Sequence, residues 1–387
     1  MAEPAGARFP PDAMTFTASP RMLARPRSIG NWQPEFMSAD HTYTRAQAVA
    51  AAGEFDVIMA LPIAYADHVA AMKRANPRLR ILAYVNGGYS VNDDGSLHPQ
   101  TWYARDREGR KIRSVGFGNY LMDPTRSGWI DDVAARCRTA LERSGYDGCF
   151  LDSLGAAALQ TGYVTGSPEN RFTGKVWKRE PYLEQTSGLA REVKRRIAPR
   201  PVVANGVGSG QEYFDGGGTR TFPDGIDGAM VEMFVRVPRA GLDEYRSVTD
   251  WRKDVDMLVD AGLNSRVLLC ITKAWASGTR RQKDRLHRFA FGSFLLGTNG
   301  RSFFSFLPGR DVSRRSPLWD LPLGSPEEPY VVEGGVFRRR FTGGWVFVNP
   351  KGGGREIELE RSMRTPSGRL VRSVRLAPHS AAFLLSP

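Results

Sequence analysis

Tyr146-Asp147-Gly148-Cys149-Phe150-Leu151-Asp152-Ser153 is a short apolar run that ends on a carboxylate and lies directly behind an amphipathic helix. The helix spans 128–144, because Trp129, Ile130, Val133, Ala134, Cys137, Ala140 and Leu141 recur on one face at helical spacing. Ser127 is the expected N-cap and Gly145 the expected C-terminal stop. Helix, tight turn, buried strand and terminal acid is the way a parallel α/β architecture delivers a charged side chain to the rim of its sheet. Asp152 is therefore a candidate nucleophile, and the rest of the chain decides what it works with.

The same rhythm runs in both directions from this stretch. Strand-like runs occur at 55–61, 80–85, 148–152, 201–205, 228–234, 266–272 and 301–306, with a weaker first candidate at 28–32. Helical patterns at 64–75, 128–144, 183–198, 242–261 and 279–296 fall between most of them. Eight strands with intervening helices over roughly 280 residues match the size of a (β/α)8 TIM barrel. A doubly wound open sheet is the structural runner-up, but no glycine-rich turn follows the first strand. From Gly324 the pattern changes to short alternating strands, including a hairpin signal at Thr342-Gly343-Gly344. The expected organisation is a leader over 1–27, a barrel over 28–323 and a small C-terminal all-β sandwich over 324–387.

Composition removes several function classes. No apolar run approaches the roughly 20 residues needed to span a bilayer. Met1 to Pro20 is rich in Ala and Pro without an apolar core, so it does not read as an intact signal peptide. Two readings of it stay open: the mature start of a secreted protein, or an extended or disordered leader. A secreted or cell-surface location is the expectation, with a cytoplasmic one as the alternative. Cys137, Cys149 and Cys270 lie in apolar patterns without metal-type neighbours and read as small buried hydrophobes, with no disulfide framework. The five histidines show no metal-ligand spacing, so no metal and no cofactor are expected. The formal charge of +13 comes from short clusters such as Lys194-Arg195-Arg196 and Arg338-Arg339-Arg340, with no recognised nucleic-acid motif. Solvated helix faces account for these clusters; attraction to an acidic polymer is the alternative.

In a barrel, reactive groups gather where strands end. Those positions hold Trp32, Tyr84, Asn86, Asp152, Asn205, Glu232, Lys273 and Trp275. Asp152 and Glu232 are the two carboxylates. Apolar Val231, Met233 and Phe234 around Glu232 suggest a raised pKa and a general acid, while Asp152 beside a turn suits an ionised nucleophile. Two carboxylates in contrasting surroundings are what glycosidic cleavage requires. The structural alternative is that each pairs with an Arg or Lys, Lys273 being a candidate. Trp32, Trp102 and Trp275 are candidates for stacking on sugar faces, and ordinary loop packing is the alternative for each. Tyr84, Asn86 and Asn205 are candidates for bonds to sugar hydroxyls. Asp123 either caps the following helix or orients substrate. Asn205-Gly206-Val207-Gly208-Ser209-Gly210 lacks the ending of a phosphate loop and reads as a flexible active-site loop.

The segment Trp102-Tyr103-Ala104-Arg105-Asp106-Arg107-Glu108-Gly109, then Met122-Asp123-Pro124, then 146–152 and the strand carrying Glu232 resemble bacterial glycosyl hydrolase families built on a (β/α)8 barrel. The ending Pro378-His379-Ser380-Ala381-Ala382-Phe383-Leu384-Leu385 is similar to their small β-sandwich. An Asp on strand four and an acid on strand six is also the layout of α-galactosidase-like and polygalactosaminidase-like barrels. The resemblance implies a retaining glycoside hydrolase of poly- or oligosaccharides, acidic and amino-sugar polymers among the candidates. It implies Asp152 as nucleophile and Glu232 as acid/base. Ser153-Leu154 departs from the further polar pair of many relatives, so substrate contacts there do not carry over. The rival reading is a carbohydrate-binding protein on an inactive barrel.

Overall fold

The computed structural model describes residues 42–90, 95–215, 225–309 and 316–387, and the main chain of 30–34. The expected leader at 1–27 and the side chain of Trp32 lie outside the described residues.

Eight parallel strands close into a barrel. They are β1 (Gly30–Pro34), β2 (Val57–Ala60), β3 (Arg80–Asn86), β4 (Gly148–Asp152), β5 (Val202–Val207), β6 (Gly228–Val231), β7 (Val267–Lys273) and β8 (Ser302–Leu307). Each strand pairs with its successor, and β1 closes the ring through Gly30 opposite Phe303 and Trp32 opposite Val57. Around it lie α1 (Arg45–Glu54), α2 (Val69–Ala75), α3 (Ser127–Ser144), α4 (Arg179–Ile197), α5 (Val248–Leu263) and α6 (Arg280–Gly297).

Strand alternation divides the core in two. Val57, Met59, Leu82, Phe150, Val203, Met230, Leu269, Ile271, Phe303 and Leu307 fill the barrel interior as one cluster. Their sequence neighbours Ile58, Ala83, Cys149, Leu151, Ala204, Val231 and Cys270 face the helices as part of a second cluster. Both faces are buried, which is why these strands read as continuous apolar runs rather than as alternating ones.

Several local expectations need correction. Helix α3 begins at Ser127, so Arg126 is its N-cap and no side chain caps it, while Gly145 does stop it in the left-handed conformation at φ 69°. Cys137 and Cys149 are not separate buried hydrophobes: they form a disulfide with a Cα–Cα distance of 5.9 Å. The helical face that carries Cys137 packs against the outward face of β4, and the turn at Gly145 brings the two sulfurs together. Strand β6 stops at Val231, one residue before Glu232.

The C-terminal region is one antiparallel sheet, built from β9 (Val331–Glu333), β10 (Val336–Phe341), β11 (Gly344–Asn349), β12 (Arg355–Arg364), β13 (Leu370–Leu376) and β14 (Ser380–Leu385). Its spatial order is β9-β10-β11-β14-β12-β13. The run 331–341 is two strands, because Gly334 and Gly335 both take positive φ (57° and 81°) and turn the chain back on itself. One face of the sheet joins the main core through Phe337, Val346, Val348 and Phe383. On the other, Val336, Phe347, Met363, Leu376 and Leu384 form a separate cluster as the sheet curls over into a sandwich-like half-barrel. Arg339 fastens it to the barrel, donating to the carbonyls of Leu295, Leu296 and Thr298 at the C-terminal end of α6.

Candidate active site

The interior face of the barrel turns from apolar to polar at one level. Leu82 is followed two residues later by Tyr84, Phe150 by Asp152, Val203 by Asn205, Met230 by Glu232, and Ile271 by Lys273. Strand alternation puts Tyr84, Asp152, Asn205 and Lys273 on the face that points down the barrel axis, and Glu232, one residue past the end of β6, joins them through its bonds to Asn205 and Lys273. Five neighbouring strands therefore lift five polar side chains to the C-terminal mouth.

These five form one hydrogen-bonded chain. Tyr84 donates its phenol to Asp152 Oδ2 at 2.6 Å. Asn205 Nδ2 donates to Asp152 Oδ1 at 2.8 Å and to Glu232 Oε2 at 3.4 Å. Lys273 Nζ closes on Glu232 Oε1 as an ion pair. Two bonds of 2.8 and 3.4 Å from one nitrogen, laid end to end, limit the separation of those two carboxylate oxygens to about 6.2 Å. A β-bulge between β5 and β6, where the register shifts between Met230 and Val231, lies beside this pair.

Asp152 accepts a third bond, from Ser153 Oγ at 3.2 Å. Three side-chain donors therefore hold its two oxygens in place. Ser153 itself has a positive φ of 63°, a strained conformation for a residue with a side chain. Gly88 lies so close that a Cβ there would come within 2.1 Å of the Ser153 carbonyl oxygen. The strand-four elbow is thus held from the β3 loop, where Asn86 accepts from the Gly88 and Tyr89 amides and donates to Ser153 Oγ. Burial, and then the neighbouring Asp152 charge, push the Tyr84 phenol far above its ordinary pKa, so it stays a donor.

Glu232 differs from expectation. Its side chain is 39% exposed and paired with buried Lys273, so it is not enclosed by the apolar residues that flank it in sequence. Those flanking side chains point elsewhere, Val231 and Phe234 being fully buried towards the helices. Lys273 also lies 4.6 Å from the centre of the Trp275 ring, which is half-buried beside the ion pair.

Other expected site residues are occupied differently. Trp102 packs on the first turn of α3, where a Cβ on Gly128 would come within 2.3 Å of the indole, and stacks on His98. Asp123 is buried in its own turn, accepting from Thr125 N and Oγ1 and from Arg126 Nε. It neither caps α3 directly nor reaches the carboxylate pair; it lines a separate cleft of about 380 Å³ with Arg105, Arg107, Arg126 and Arg171. The glycine run after Asn205 is pinned rather than free, with the Gly208 amide on Glu212 Oε2 at 2.7 Å and the Gly210 amide on Asp254 Oδ1 at 2.6 Å.

Some participants escaped the sequence reading. Tyr163, on the excursion after β4, stands in the field of both carboxylates; burial first, then Glu232 and Asp152, push its phenol up to about 12. Nothing in its local sequence marks it. Asp254 did leave a signal: it falls on the apolar face of α5 with Trp251, Val255 and Leu258, where an acid is out of place. Among the described residues no cluster of His, Cys, Asp or Glu is placed to hold a metal ion.

Solved structures with this fold include a maltogenic α-amylase, AmyB, from Thermotoga neapolitana. It is 9% identical, with 92% of this chain and 98% of that one covered and a TM-score of 0.53. The α-amylase from Geobacillus thermoleovorans, solved with acarbose, is 10% identical, with 94% and 99% covered and a TM-score of 0.51. The type I pullulanase of Bacillus subtilis, solved with maltose, is 10% identical over 100% of this chain and 73% of that one, at 0.52. At such identities the likeness is one of fold. No curated protein matches the sequence significantly. The profile of hypothetical glycosyl hydrolase family 15 matches residues 73–345, a span that takes in Tyr84, Asp152, Asn205, Glu232 and Lys273 together with six of the eight barrel strands. The chain belongs to hypothetical glycosyl hydrolase family 15.

Proposed function

We propose that the protein hydrolyses a poly- or oligosaccharide with retention of anomeric configuration, Asp152 acting as nucleophile and Glu232 as acid/base. The observation that carries this is the shared Asn205 amide. It holds one oxygen pair, Asp152 Oδ1 and Glu232 Oε2, within about 6.2 Å, which supports the close carboxyl spacing of retention (roughly 5–5.5 Å) over the roughly 6.5–9.5 Å that seats a water for inversion. In the first step an Asp152 oxygen bonds to the anomeric carbon as the glycosidic C–O bond breaks. Glu232 delivers its proton to the departing oxygen. Lys273 holds Oε1, which leaves Oε2, the oxygen towards Asp152, to carry that proton. Lys273 then stabilises the carboxylate that remains. In the second step Glu232 takes a proton from water, water attacks the same carbon, and the Asp152 ester bond breaks. Tyr84 and Asn205 hold the nucleophile's two oxygens in fixed directions.

Of the structures of like fold, one α-amylase is complexed with acarbose and the type I pullulanase with maltose. The basic balance of this chain keeps acidic polymers among the candidate substrates. The buried Cys137–Cys149 disulfide supports an oxidising compartment, hence export to the cell surface or beyond.

The Lys273–Glu232 ion pair is the observation that favours the second reading, a carbohydrate-binding protein on an inactive barrel. Asp152→Asn and Glu232→Gln decide between them. The catalytic reading expects each to abolish hydrolysis while melting stays near wild type. Sugar binding with no hydrolysis by the wild type would establish the binding protein.

A further inference from the structure

The inference rests on the reading of Asn205 and Glu232 as parts of the reacting site. It concerns what sets the two against each other. Asn205 and Glu232 sit at the ends of separate strands, and the loops that follow them are joined below the site. Glu232 N donates to the Val207 carbonyl at 3.3 Å and Met233 N to the Gly208 carbonyl at 2.8 Å. Beneath these contacts lies Asp254 of α5, with no exposed surface. Its Oδ1 accepts the Gly210 amide at 2.6 Å, from the Asn205 loop. Its Oδ2 accepts the Val235 amide at 3.0 Å, from the Glu232 loop. Arg246 lies 3.6 Å from Oδ2 and also donates to the Met233 carbonyl at 3.0 Å.

Two features show that this arrangement is imposed on the loops. Val235 takes a φ of 58°, a conformation that β-branched residues avoid, so something outside the residue must hold it. Gly210 lies flat on α5, where a Cβ would come within 2.2 Å of the Lys253 carbonyl. A buried carboxylate is costly, and one that accepts amides from two different loops serves to register them.

We propose that Asp254, steadied by Arg246, is a positioning residue that fixes the Glu232 carboxyl against the Asn205 amide and so sets the separation of the two carboxylates. It touches neither substrate nor reacting atoms. Burial, partly offset by Arg246 and the two amides, pushes its pKa up to about 6, with Asp250 raising it further. The other charged or titratable groups near it are Cys270 on β7 and Glu212 on the short helix Gly210–Asp215; Glu212 is turned to the Gly208 amide and Arg179.

Hydrogen–deuterium exchange, corrected for intrinsic rate, tests this with a readout independent of turnover. In Asp254→Asn, peptides over 208–212 and 233–237 should exchange at least ten-fold faster at pH 7.5, while β2 and β3 stay unchanged. On a cleaved substrate, kcat should fall ten-fold or more with KM within two-fold. Arg246→Met keeps the carboxylate and should loosen 233–237 alone, which gives a second test if Asp254→Asn does not fold. Unchanged exchange in both variants, or unchanged kcat in an active Asp254→Asn, would overturn the proposal. Loosening without any wild-type hydrolysis would keep the clamp and reject the catalytic reading instead.

Discussion

Removing the Cys137–Cys149 disulfide by Cys137→Ala/Cys149→Ala tests whether α3 and β4 are fastened as the structure shows. The two cysteines are separated by 12 residues, and closing a loop of that size restricts the unfolded chain by about 3 kcal/mol. An unfolding entropy of roughly 2.1 cal/mol/K per residue gives a chain of this length about 0.8 kcal/mol/K. The ratio predicts a fall in Tm of about 4 °C, with a small addition from the two lost sulfurs in a fully buried site. Calorimetry on the variant, on wild type and on reduced wild type separates the two contributions, since reduction removes the cross-link and keeps the sulfur atoms. Peptide mapping without reductant should give the 137 and 149 peptides as one linked species. Equal Tm for all three proteins, or three alkylatable thiols in denatured wild type, would refute the reasoning. Cys149 lies three residues before Asp152, so the variant also reports whether anchoring this strand matters for turnover.

Three further outcomes follow from individual contacts. Tyr84→Phe removes the 2.6 Å bond to Asp152, a bond to a charged acceptor worth about 1.5–3 kcal/mol, and should lower kcat/KM by roughly 10- to 100-fold with Tm nearly unchanged; a wild-type value would remove Tyr84 from the site. Asp254 and His287 should act on stability with opposite signs in acid. The folded-state pKa of Asp254 is raised to about 6, so its contribution to stability declines as pH rises from about 4 to 6; that of His287 is lowered to about 4 by burial, so its contribution is lost as pH falls through the same window. Denaturant unfolding of Asp254→Asn should therefore show a steeper acid loss than wild type, and a parallel curve would contradict the assignment. Arg339→Met leaves the last carbonyls of α6 without their buried donor and should cost several kcal/mol, seen as a lower denaturation midpoint; a neutral result would show that the C-terminal sheet is not fastened there.

The fold was legible because its strands are buried on both faces. Runs such as Gly148-Cys149-Phe150-Leu151-Asp152 carry the signal in composition alone, and an acid or amide at the end of several of them marks the mouth. Asp152, Glu232, Asn205, Tyr84 and Lys273 could be placed together from strand ends, since alternation within a strand fixes which face each residue takes. Trp102 and Asp123 misled because a loop position does not say whether a side chain faces the mouth or its own loop; Trp102 turned to Gly128 and Asp123 to Thr125. The surroundings of Glu232 were misread for a related reason. Its sequence neighbours lie on other faces, while its spatial neighbour Lys273 comes from the next strand, 41 residues away. The disulfide was hidden because two cysteines inside separate apolar patterns look the same whether or not the patterns face each other. Ser153 and Val235 carry positive φ without being glycine, so no residue type announced the two sharp turns beside the site.

The central claim is a two-carboxylate site spaced for retention. A screen of neutral, acidic and amino-sugar polysaccharides supplies a substrate, and proton NMR of the first product, taken before mutarotation, reads the anomer. The account predicts that the product keeps the configuration of the bond cleaved and that Asp152→Asn forms none. An inverted anomer, or undiminished turnover by Asp152→Asn, would contradict it.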